Sequence, residues 1–484
     1  MNNIIGIDIG TTHCKLLLVS ENSKVIFSDK RNCRSFTDDK GKHEQDAEEI
    51  FKSVAELLKE AFEHTEQSAI SCVCFSTAMH SLLAIDGEGR PLMNALTWAD
   101  TRAAKYAKQL KESPVAAEIY HQTGTPIHAM SPLCKLLWLK NEQQPVFAKA
   151  AKFISIKEYI FYKLFGKYVI DHSIASATGL FNIHANQWND ASLQLAGVMV
   201  DKFSQPADIL HAEDDMLAAV KKQIGLTVNI PFIMGCSDGA AAQFGAGAIL
   251  PTEACVTAGT SGAVRTFITE AITHPQQKTF TYVFQPNWYL TGGATNNGGN
   301  VVQWFAKIFL PNVKEEDCYA TIIKMASQPE AGAKGLLFVP YLYGERSPVW
   351  DADATGQFTG IKNMHSANDF ARAVIEGILL NLWEIFQTLP NRNEAKTIYA
   401  NGGFFNNPFM AQLLADISGR KVLLQKDADS SAMGAVYVGM LAQGWIKDIA
   451  EVKKFITADT TFEPNENALE VYKEVFGRYV EARK

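Results

Sequence analysis

Residues 4–15 read Ile-Ile-Gly-Ile-Asp-Ile-Gly-Thr-Thr-His-Cys-Lys. The β-branched run Ile4–Ile9 predicts a buried strand, and Gly10 permits a tight turn in which φ is positive. Thr11 and Thr12 then offer hydroxyl and backbone N–H groups at the bend of a hairpin, a shape that suits phosphate oxygens. The stretch therefore predicts a phosphate-binding hairpin. For this motif alone, an ordinary hairpin with a capped turn remains the alternative.

Asp8 stands inside the predicted strand, where an unpaired carboxylate is costly. A magnesium ion bound to a nucleotide would satisfy this carboxylate, because Mg²⁺ prefers oxygen ligands. The loop differs from a Walker A motif, since no Gly-Lys-Ser or Gly-Lys-Thr sequence opens a helix here.

A second stretch repeats the pattern about 250 residues later, where residues 255–262 read Cys-Val-Thr-Ala-Gly-Thr-Ser-Gly. Two similar halves facing one nucleotide would place one phosphate loop on each wall of a cleft. This pair of loops resembles the sugar kinase, Hsp70 and actin superfamily. The resemblance implies an α/β fold in which two ribonuclease-H-like domains flank a nucleotide cleft.

The size and composition of the chain agree with a two-domain enzyme. It has 484 residues, of which 47% are hydrophobic and 20% charged. The net charge of −7 without a basic block disfavours nucleic acid as a partner. The eight cysteines form no Cys-x-x-Cys pair, so a reducing cytoplasm is the simplest setting. We expect no signal peptide and no membrane span, whereas a homodimer remains possible.

Hydrophobic runs and helical periodicity alternate along the chain, as in α/β proteins. The predicted strands are residues 4–9, 15–19, 72–76, 232–235, 254–258 and 398–401, and the clearest predicted helices are residues 47–64, 101–112, 369–388 and 408–418. The Gly-Ala-rich segment 239–247 indicates close helix packing rather than a flexible linker, and the charged tail 465–484 predicts a surface helix.

Two longer motifs narrow the resemblance to one family. Residues 130–142 read Met-Ser-Pro-Leu-Cys-Lys-Leu-Leu-Trp-Leu-Lys-Asn-Glu, and residues 356–361 read Gly-Gln-Phe-Thr-Gly-Ile, followed by Asp-Phe at 369–370 and Ala-Val-Ile-Glu at 373–376. Both resemble signatures of the FGGY carbohydrate kinases. The resemblance implies an ATP-dependent kinase. It also implies an N-terminal domain (1–247) with the substrate pocket and first phosphate loop, and a nucleotide-binding C-terminal domain (248–484).

Asp238 is the predicted catalytic residue, because it follows the apolar strand at 231–235 and precedes a helix. Ligands bind at the carboxyl ends of strands in open α/β sheets, and a carboxylate there can accept the proton of an attacking hydroxyl. A helix N-cap is the alternative role. The FGGY resemblance implies that this Asp is the general base and that Asp8, together with Asp238, lies at the Mg²⁺ ion.

The same resemblance implies the contacts with ATP by matching motifs. Those residues are Thr11, Thr12, His13 and Lys15 in the first loop, Gly259 and Thr260 in the second, Gly299 and Gln303 in the next turn, and Gly402, Gly403 and Asn407 near the adenosine. His13 departs from the Ser or Thr common in the family, which weakens a side-chain role there.

The sugar contacts are expected from the first half of the chain. The candidates are Met79, His80, Trp98, Asp100, Arg102, His128 and Lys157. Without the family, a core Trp and a surface ion pair would be the simpler interpretation of residues 98–102. Several stretches, among them residues 76–81, 123–128 and 175–179, resemble the gluconate kinases, which implies D-gluconate as substrate.

Two alternatives to that substrate and activity stay open. One is a xylulose kinase, and the other is a nucleotide-gated binding protein of the same superfamily. If D-gluconate is the substrate, its carboxylate needs a cation or convergent donors. The candidates for that role are His80, Arg102, His128, Lys157 and Asn296.

Overall fold

The structure is a computed structural model that describes residues 2–424, 429–456 and 460–483. The strands in these ranges are β1 (Asn3–Ile9), β2 (His13–Ser20), β3 (Val25–Asn32), β4 (Phe36–Thr37), β5 (His43–Gln45), β6 (Ile70–Thr77), β7 (Leu83–Ile85), β8 (Ala95–Leu96), β9 (Lys152–Ile154), β10 (Val169–Asp171), β11 (Phe181–Asn182), β12 (Gln187–Trp188), β13 (Gln205–Ala207), β14 (Ala212–Glu213), β15 (Phe232–Ser237), β16 (Glu253–Ala258), β17 (Gly262–Ile268), β18 (Phe280–Gln285), β19 (Trp288–Thr295), β20 (Leu337–Val339), β21 (Gln357–Thr359), β22 (Thr397–Asn401), β23 (Lys421–Leu424) and β24 (Thr460–Phe462).

The α-helices in the same ranges are α1 (Ala47–Glu63), α2 (Ala104–Lys111), α3 (Ala116–Thr123), α4 (Pro132–Glu142), α5 (Gln144–Lys149), α6 (Ile156–Phe165), α7 (His172–Ser176), α8 (Asp190–Ala196), α9 (Ala218–Gln223), α10 (Asp238–Gly245), α11 (Gly299–Phe309), α12 (Glu315–Ala326), α13 (Ala367–Gln387), α14 (Pro408–Ser418), α15 (Ser430–Ala442) and α16 (Glu466–Ala482). The predicted strands and helices are confirmed, with shifts of up to three residues at their ends. Among the described helices, none combines the length and the apolar character needed to cross a membrane.

Two large sheets repeat one strand order. The first sheet runs β14-β15-β6-β1-β2-β3, and the second runs β18-β19-β17-β16-β22-β23-β24. In each sheet an antiparallel hairpin (β1–β2 or β16–β17) lies beside a parallel strand (β6 or β22). The strands β3-β2-β1-β6-β15 therefore correspond in position to β19-β17-β16-β22-β23. This repeat agrees with the two similar halves predicted from the phosphate loops.

Both predicted phosphate turns lie at the bends of these hairpins. The Gly10 N–H donates to the His13 carbonyl across 3.0 Å, and the Gly259 N–H donates to the Ser261 carbonyl across 2.8 Å. Each bend follows the carboxyl end of a central strand, which is the edge where ligands bind in such sheets.

Helix α15 belongs to the second half of the chain but packs on α10 and on β1 and β6 of the first sheet. A Cβ on Gly245 would lie 1.9 Å from the Ser430 carbonyl oxygen, and one on Gly434 would lie 1.9 Å from that of Ala241. The two helices thus approach more closely than side chains allow. This contact confirms that segment 239–247 serves close helix packing.

The C-terminal helix α16 is less superficial than predicted. Tyr472, Val475 and Tyr479 are buried in the core of the second sheet, while the opposite face of the helix is exposed. The prediction of a surface helix rested on the charged residues of this segment and did not use its apolar positions, which recur at helical spacing.

Candidate active site

Two neighbouring cavities lie beside the two hairpin bends. The small cavity has a volume of about 260 Å³ and is lined by Thr11, Met79, His80, Trp98, Met130, Asp238, Thr257, Ser261, Gly262, Ala263, Arg265, Phe280, Tyr282, Ala294, Arg346 and Trp350. The large cavity has a volume of about 690 Å³ and is lined by Gly259, Thr260, Gly299, Val302, Gln303, Ala306, Lys307, Leu310, Pro311, Val313, Cys318, Tyr319, Gly403 and Phe404. The second hairpin turn contributes to both linings, so it separates the two spaces.

Asp238 is the first residue of α10 and lines the small cavity. The cap of α10 is Ser237, whose hydroxyl accepts from the Ala240 N–H across 3.4 Å, so Asp238 is not needed as the N-cap. The Gly239 N–H donates to Asp238 Oδ1 across 2.7 Å. Burial raises the pKa of Asp238, and the nearby charge of Arg265 opposes that rise. The carboxylate is therefore held in place while remaining a competent proton acceptor.

Asp8 is half-buried on β1, where the Ser76 hydroxyl donates to its Oδ1 across 2.7 Å. Burial raises the pKa of Asp8 to about 7, and the negative charges of Asp238 and Asp429 add to the rise. A cation near Asp8 and Asp238 would stabilise the ionised forms of both carboxylates.

His80 has an uncommon backbone conformation for a residue other than glycine, with φ of 67°. Its Nδ1 donates to the Ala177 carbonyl across 2.7 Å, which leaves Nε2 as an acceptor. Burial lowers the pKa of His80 to about 3, and Lys135 adds to the effect. His80 is thus a neutral side chain of the small cavity, beside Met79 and Trp98.

Lys135 is a positioning residue that the sequence-based prediction missed, although it lies in the first of the two long motifs. Its buried ammonium donates to the carbonyls of His80, across 2.6 Å, and Thr97, across 2.7 Å. It therefore ties together the two loops that carry His80 and Trp98. A lysine inside an apolar helix pattern was the available signal.

Three charged candidates for sugar binding do not line the small cavity. The Arg102 guanidinium pairs with Asp100, across 2.6 Å, and Glu44, across 2.7 Å. Lys157 is buried and pairs with Asp171 across 2.7 Å. The charges of Asp100, Arg102 and Lys157 are therefore neutralised by protein partners. Direct contact of these three residues with a sugar stays a prediction.

His128 and Asn296 are also outside the lining of the small cavity. Burial lowers the pKa of His128 to about 3, and the neighbouring Arg346 contributes. The Asn296 amide donates to the Tyr343 carbonyl across 3.0 Å. Neither side chain offers a positive charge to an acidic ligand.

Two arginines of the small cavity were not among the predicted residues. Arg265 lies on β17, on the same face as Ala263, and Arg346 lies in the loop after β20. The expectation that the first half would supply the pocket missed them. For Arg265 the alternation of side chains along the strand after the second loop was a usable signal, whereas nothing local marks Arg346.

The predicted nucleotide residues fall into three groups. Five of them line the large cavity: Gly259, Thr260, Gly299, Gln303 and Gly403. Thr11 lines the small cavity, whereas Thr12, His13, Lys15, Gly402 and Asn407 line neither. Among these, Lys15 pairs with Asp429, and the Asn407 side chain caps α14.

The Gly299 N–H donates to the Gly259 carbonyl across 2.7 Å, so the N-terminus of α11 is fixed against the second hairpin bend. Beyond this point the large cavity is lined by apolar side chains such as Val302, Leu310 and Phe404. An apolar slot that ends at a glycine-rich turn suits a planar base joined to a phosphate chain.

Comparison with known proteins agrees with this arrangement. The N-terminal domain of the FGGY family of carbohydrate kinases matches residues 3–245, and the C-terminal domain of that family matches residues 254–443. This chain belongs to the FGGY family of carbohydrate kinases.

Relatives within the FGGY family carry two different substrate names. A gluconokinase of Bacillus subtilis (strain 168) is 36% identical over 478 residues, which cover 97% of this chain and 93% of the relative. Among solved structures, a gluconate kinase from Lactobacillus acidophilus has a TM-score of 0.95 at 34% identity and covers 100% of this chain and 97% of its own. A ligand-bound xylulose kinase from the same organism also has a TM-score of 0.95, at 33% identity, and covers 100% and 98%.

These comparisons confirm the predicted fold, in which two ribonuclease-H-like domains of the actin and hexokinase type are joined. As an FGGY carbohydrate kinase, the chain is an ATP-dependent enzyme that phosphorylates a sugar or a sugar derivative. The small and large cavities are accordingly its candidate sugar and nucleotide sites.

Proposed function

We propose that this FGGY kinase transfers the γ-phosphoryl group of ATP to D-gluconate and forms 6-phospho-D-gluconate. The observation that carries this choice is the charge of the small cavity. Arg265 and Arg346 both line it, and the lining otherwise includes one carboxylate, Asp238, and a neutral histidine, His80. A cavity with two guanidinium groups favours an anionic substrate. The similarity to gluconokinases supports the same choice.

In the proposed reaction, Asp238 accepts the proton of the O6 hydroxyl as that oxygen attacks the γ-phosphorus. The bond between the γ-phosphorus and the bridging oxygen breaks, and ADP leaves. The adenosine occupies the large cavity, and the γ-phosphoryl group reaches the small cavity past the turn at Gly259–Gly262. We assign its oxygens to the backbone amides of Thr11, Thr260 and Ser261, since these residues line the two cavities.

We assign Mg²⁺ to Asp8 and Asp238. Both are half-buried carboxylates whose pKa values are raised by burial, and the charge of Asp238 raises the pKa of Asp8 further. Among the described residues, no group of three or more His, Cys, Asp or Glu side chains forms a complete metal site. This is consistent with Mg²⁺, which is usually held by one or two carboxylates together with substrate phosphates. When bound, the ion would offset the negative charge of the phosphates.

The uncharged part of the sugar acid is assigned to the first half of the chain. His80 Nε2 can accept a hydrogen bond from a substrate hydroxyl, because Nδ1 is engaged with the Ala177 carbonyl. Trp98 offers an apolar face to the carbon chain, and the Arg346 guanidinium carbon lies 5.1 Å from the centroid of its ring.

Kinetic comparison of substrates tests this assignment. We expect kcat/KM for D-gluconate to exceed that for D-xylulose and for glycerol by at least about tenfold, because one charge-assisted hydrogen bond contributes about 1.5–3 kcal/mol. A higher kcat/KM for D-xylulose would replace gluconate by the second candidate, which the xylulose kinase structure favours. ADP release that is independent of every sugar tested would instead support the nucleotide-gated binding protein.

A further inference from the structure

The small cavity is built from both halves of the chain. Asp238 stands at the end of β15 in the first sheet, and Met79, His80 and Trp98 also come from the first half. Arg265 lies on β17 of the second sheet, and Arg346 follows β20 in the same half. The base and the two cations therefore come from different halves of the chain. The Arg265 side chain nevertheless reaches α10, because a Cβ on Gly239 would lie 3.3 Å from its Nε, and its charge lowers the pKa of Asp238.

The two guanidinium groups have few protein partners. Arg265 Nη1 donates only a long hydrogen bond, of 3.4 Å, to the Thr257 hydroxyl, and its buried Nε has no partner. Arg346 Nη2 donates to the Thr295 carbonyl across 2.9 Å, and its buried Nε is also unpaired. In the described parts of the chain, neither arginine forms an ion pair with a carboxylate. Burial and the nearby charge of Arg265 lower the pKa of Arg346 to about 10, and the negative charge of Glu345 opposes this effect.

The carboxylate nearest to Arg346 in sequence, Glu345, forms no ion pair with its guanidinium. Glu345 accepts hydrogen bonds from the side chains of Thr295 and Asn381, each across 2.7 Å, and from the backbone N–H of Arg346 across 2.7 Å. Its carboxylate holds the loop of Arg346 against β19 and α13. The backbone is thereby anchored while the guanidinium remains available to a ligand.

We propose that Arg265 and Arg346 together bind the carboxylate of the substrate, while the reacting hydroxyl at the other end of the acid is bound by Asp238. This inference rests on the proposed function. It adds that the charge of the acid is recognised by the second half of the chain, whereas the base comes from the first half. A neutral sugar would keep the contact with Asp238 and would offer no negative charge to either guanidinium group.

The other basic side chains near the cavity are not available to bind the carboxylate of the substrate. His80 and His128 are neutral, because burial lowers the pKa of each to about 3. The Lys135 ammonium donates hydrogen bonds to the backbone carbonyls of His80 and Thr97. Arg102 is neutralised by Asp100 and Glu44.

The test compares D-gluconate with D-gluconamide, which has the same carbon chain but no charge. Four proteins are assayed by ADP release: the wild type, Arg265→Gln, Arg346→Gln and Arg90→Gln. Arg90 is a matched control, because its side chain is 69% exposed and lies outside both cavities. Thermal unfolding and ATP titration establish that each variant is folded.

We expect each cavity variant to lower the ratio of kcat/KM for gluconate to that for gluconamide about 10- to 100-fold, and the control to leave it unchanged. Lysine at either position should restore part of the ratio, since it keeps the charge but loses the planar fork. The inference is overturned if the ratio stays at the wild-type value in both cavity variants, or if only one of them changes it. A wild type that does not phosphorylate gluconate would refute the proposed function instead.

Discussion

Replacing Asp238 by Asn separates the chemistry of the candidate base from its structural role. The Asn side chain keeps an oxygen that can accept the Gly239 N–H, which is 2.7 Å from Asp238 Oδ1, so the start of α10 should be unchanged. The amide cannot take the proton of the attacking hydroxyl. We expect kcat to fall about 10²–10⁴-fold, equivalent to about 3–5 kcal/mol of activation free energy.

The same change should not destabilise the fold. Burial raises the pKa of Asp238, so the native state disfavours its ionised form. For an acid with a raised native pKa, stability is lost as the pH rises from the pKa of the unfolded state to that of the native state. The Asp238→Asn substitution would remove this loss, so at neutral pH the variant should unfold at an equal or higher urea concentration. The advantage should disappear below about pH 4, where the carboxyl is protonated in the unfolded state as well.

A coupled assay of ADP release measures kcat, calorimetric titration measures ATP binding, and urea unfolding measures stability. Ser237→Ala is the matched control, since it removes the cap of the same helix, at about 1 kcal/mol, without removing the base. Its turnover should remain within one order of magnitude of the wild type. Turnover of Asp238→Asn close to the wild-type value would refute the role of Asp238 as base.

Three further predictions test the packing, the nucleotide site and the charge of the sugar site. Gly434→Ala should lower the free energy of unfolding by about 1–3 kcal/mol, because its Cβ would lie 1.9 Å from the Ala241 carbonyl oxygen. The control Gly477→Ala, on the exposed face of α16, should raise the free energy of unfolding by up to about 1 kcal/mol. Equal urea midpoints for the two variants would contradict the contact between α10 and α15. Gly403→Leu should raise KM for ATP about tenfold or more and leave KM for the sugar acid unchanged. The space at the Gly403 Cβ is open and adjoins the large cavity, so the leucine side chain would occupy part of the nucleotide site. An unaltered KM for ATP would place the nucleotide elsewhere. The ratio of kcat/KM for gluconate to that for gluconamide should be constant between about pH 5.5 and 8.5, because His80, with a pKa of about 3, stays neutral throughout. A ratio that grew as the pH fell through about 6.5 would indicate that a histidine cation binds the carboxylate.

Local patterns in the chain were enough to predict the two hairpins, the order of the main strands and helices, and the position of Asp238 at the end of a strand. A β-branched run followed by a glycine turn specifies a strand and its bend, and the register of a strand follows from which of its faces is buried. The same local logic indicated the close packing of segment 239–247, where only small residues permit two helices to touch.

Which charged side chains face the sugar cavity became visible only in the folded chain. Arg102 and Lys157 were plausible candidates by sequence, yet partners distant in sequence, Glu44 and Asp171, neutralise them. Arg265 and Arg346 were not among the sequence-based candidates, but the fold brings both to the lining of the sugar cavity, where neither guanidinium forms an ion pair within the described ranges. A buried charge must find a counter-charge or a ligand, and which of the two it finds depends on contacts between residues far apart in the chain.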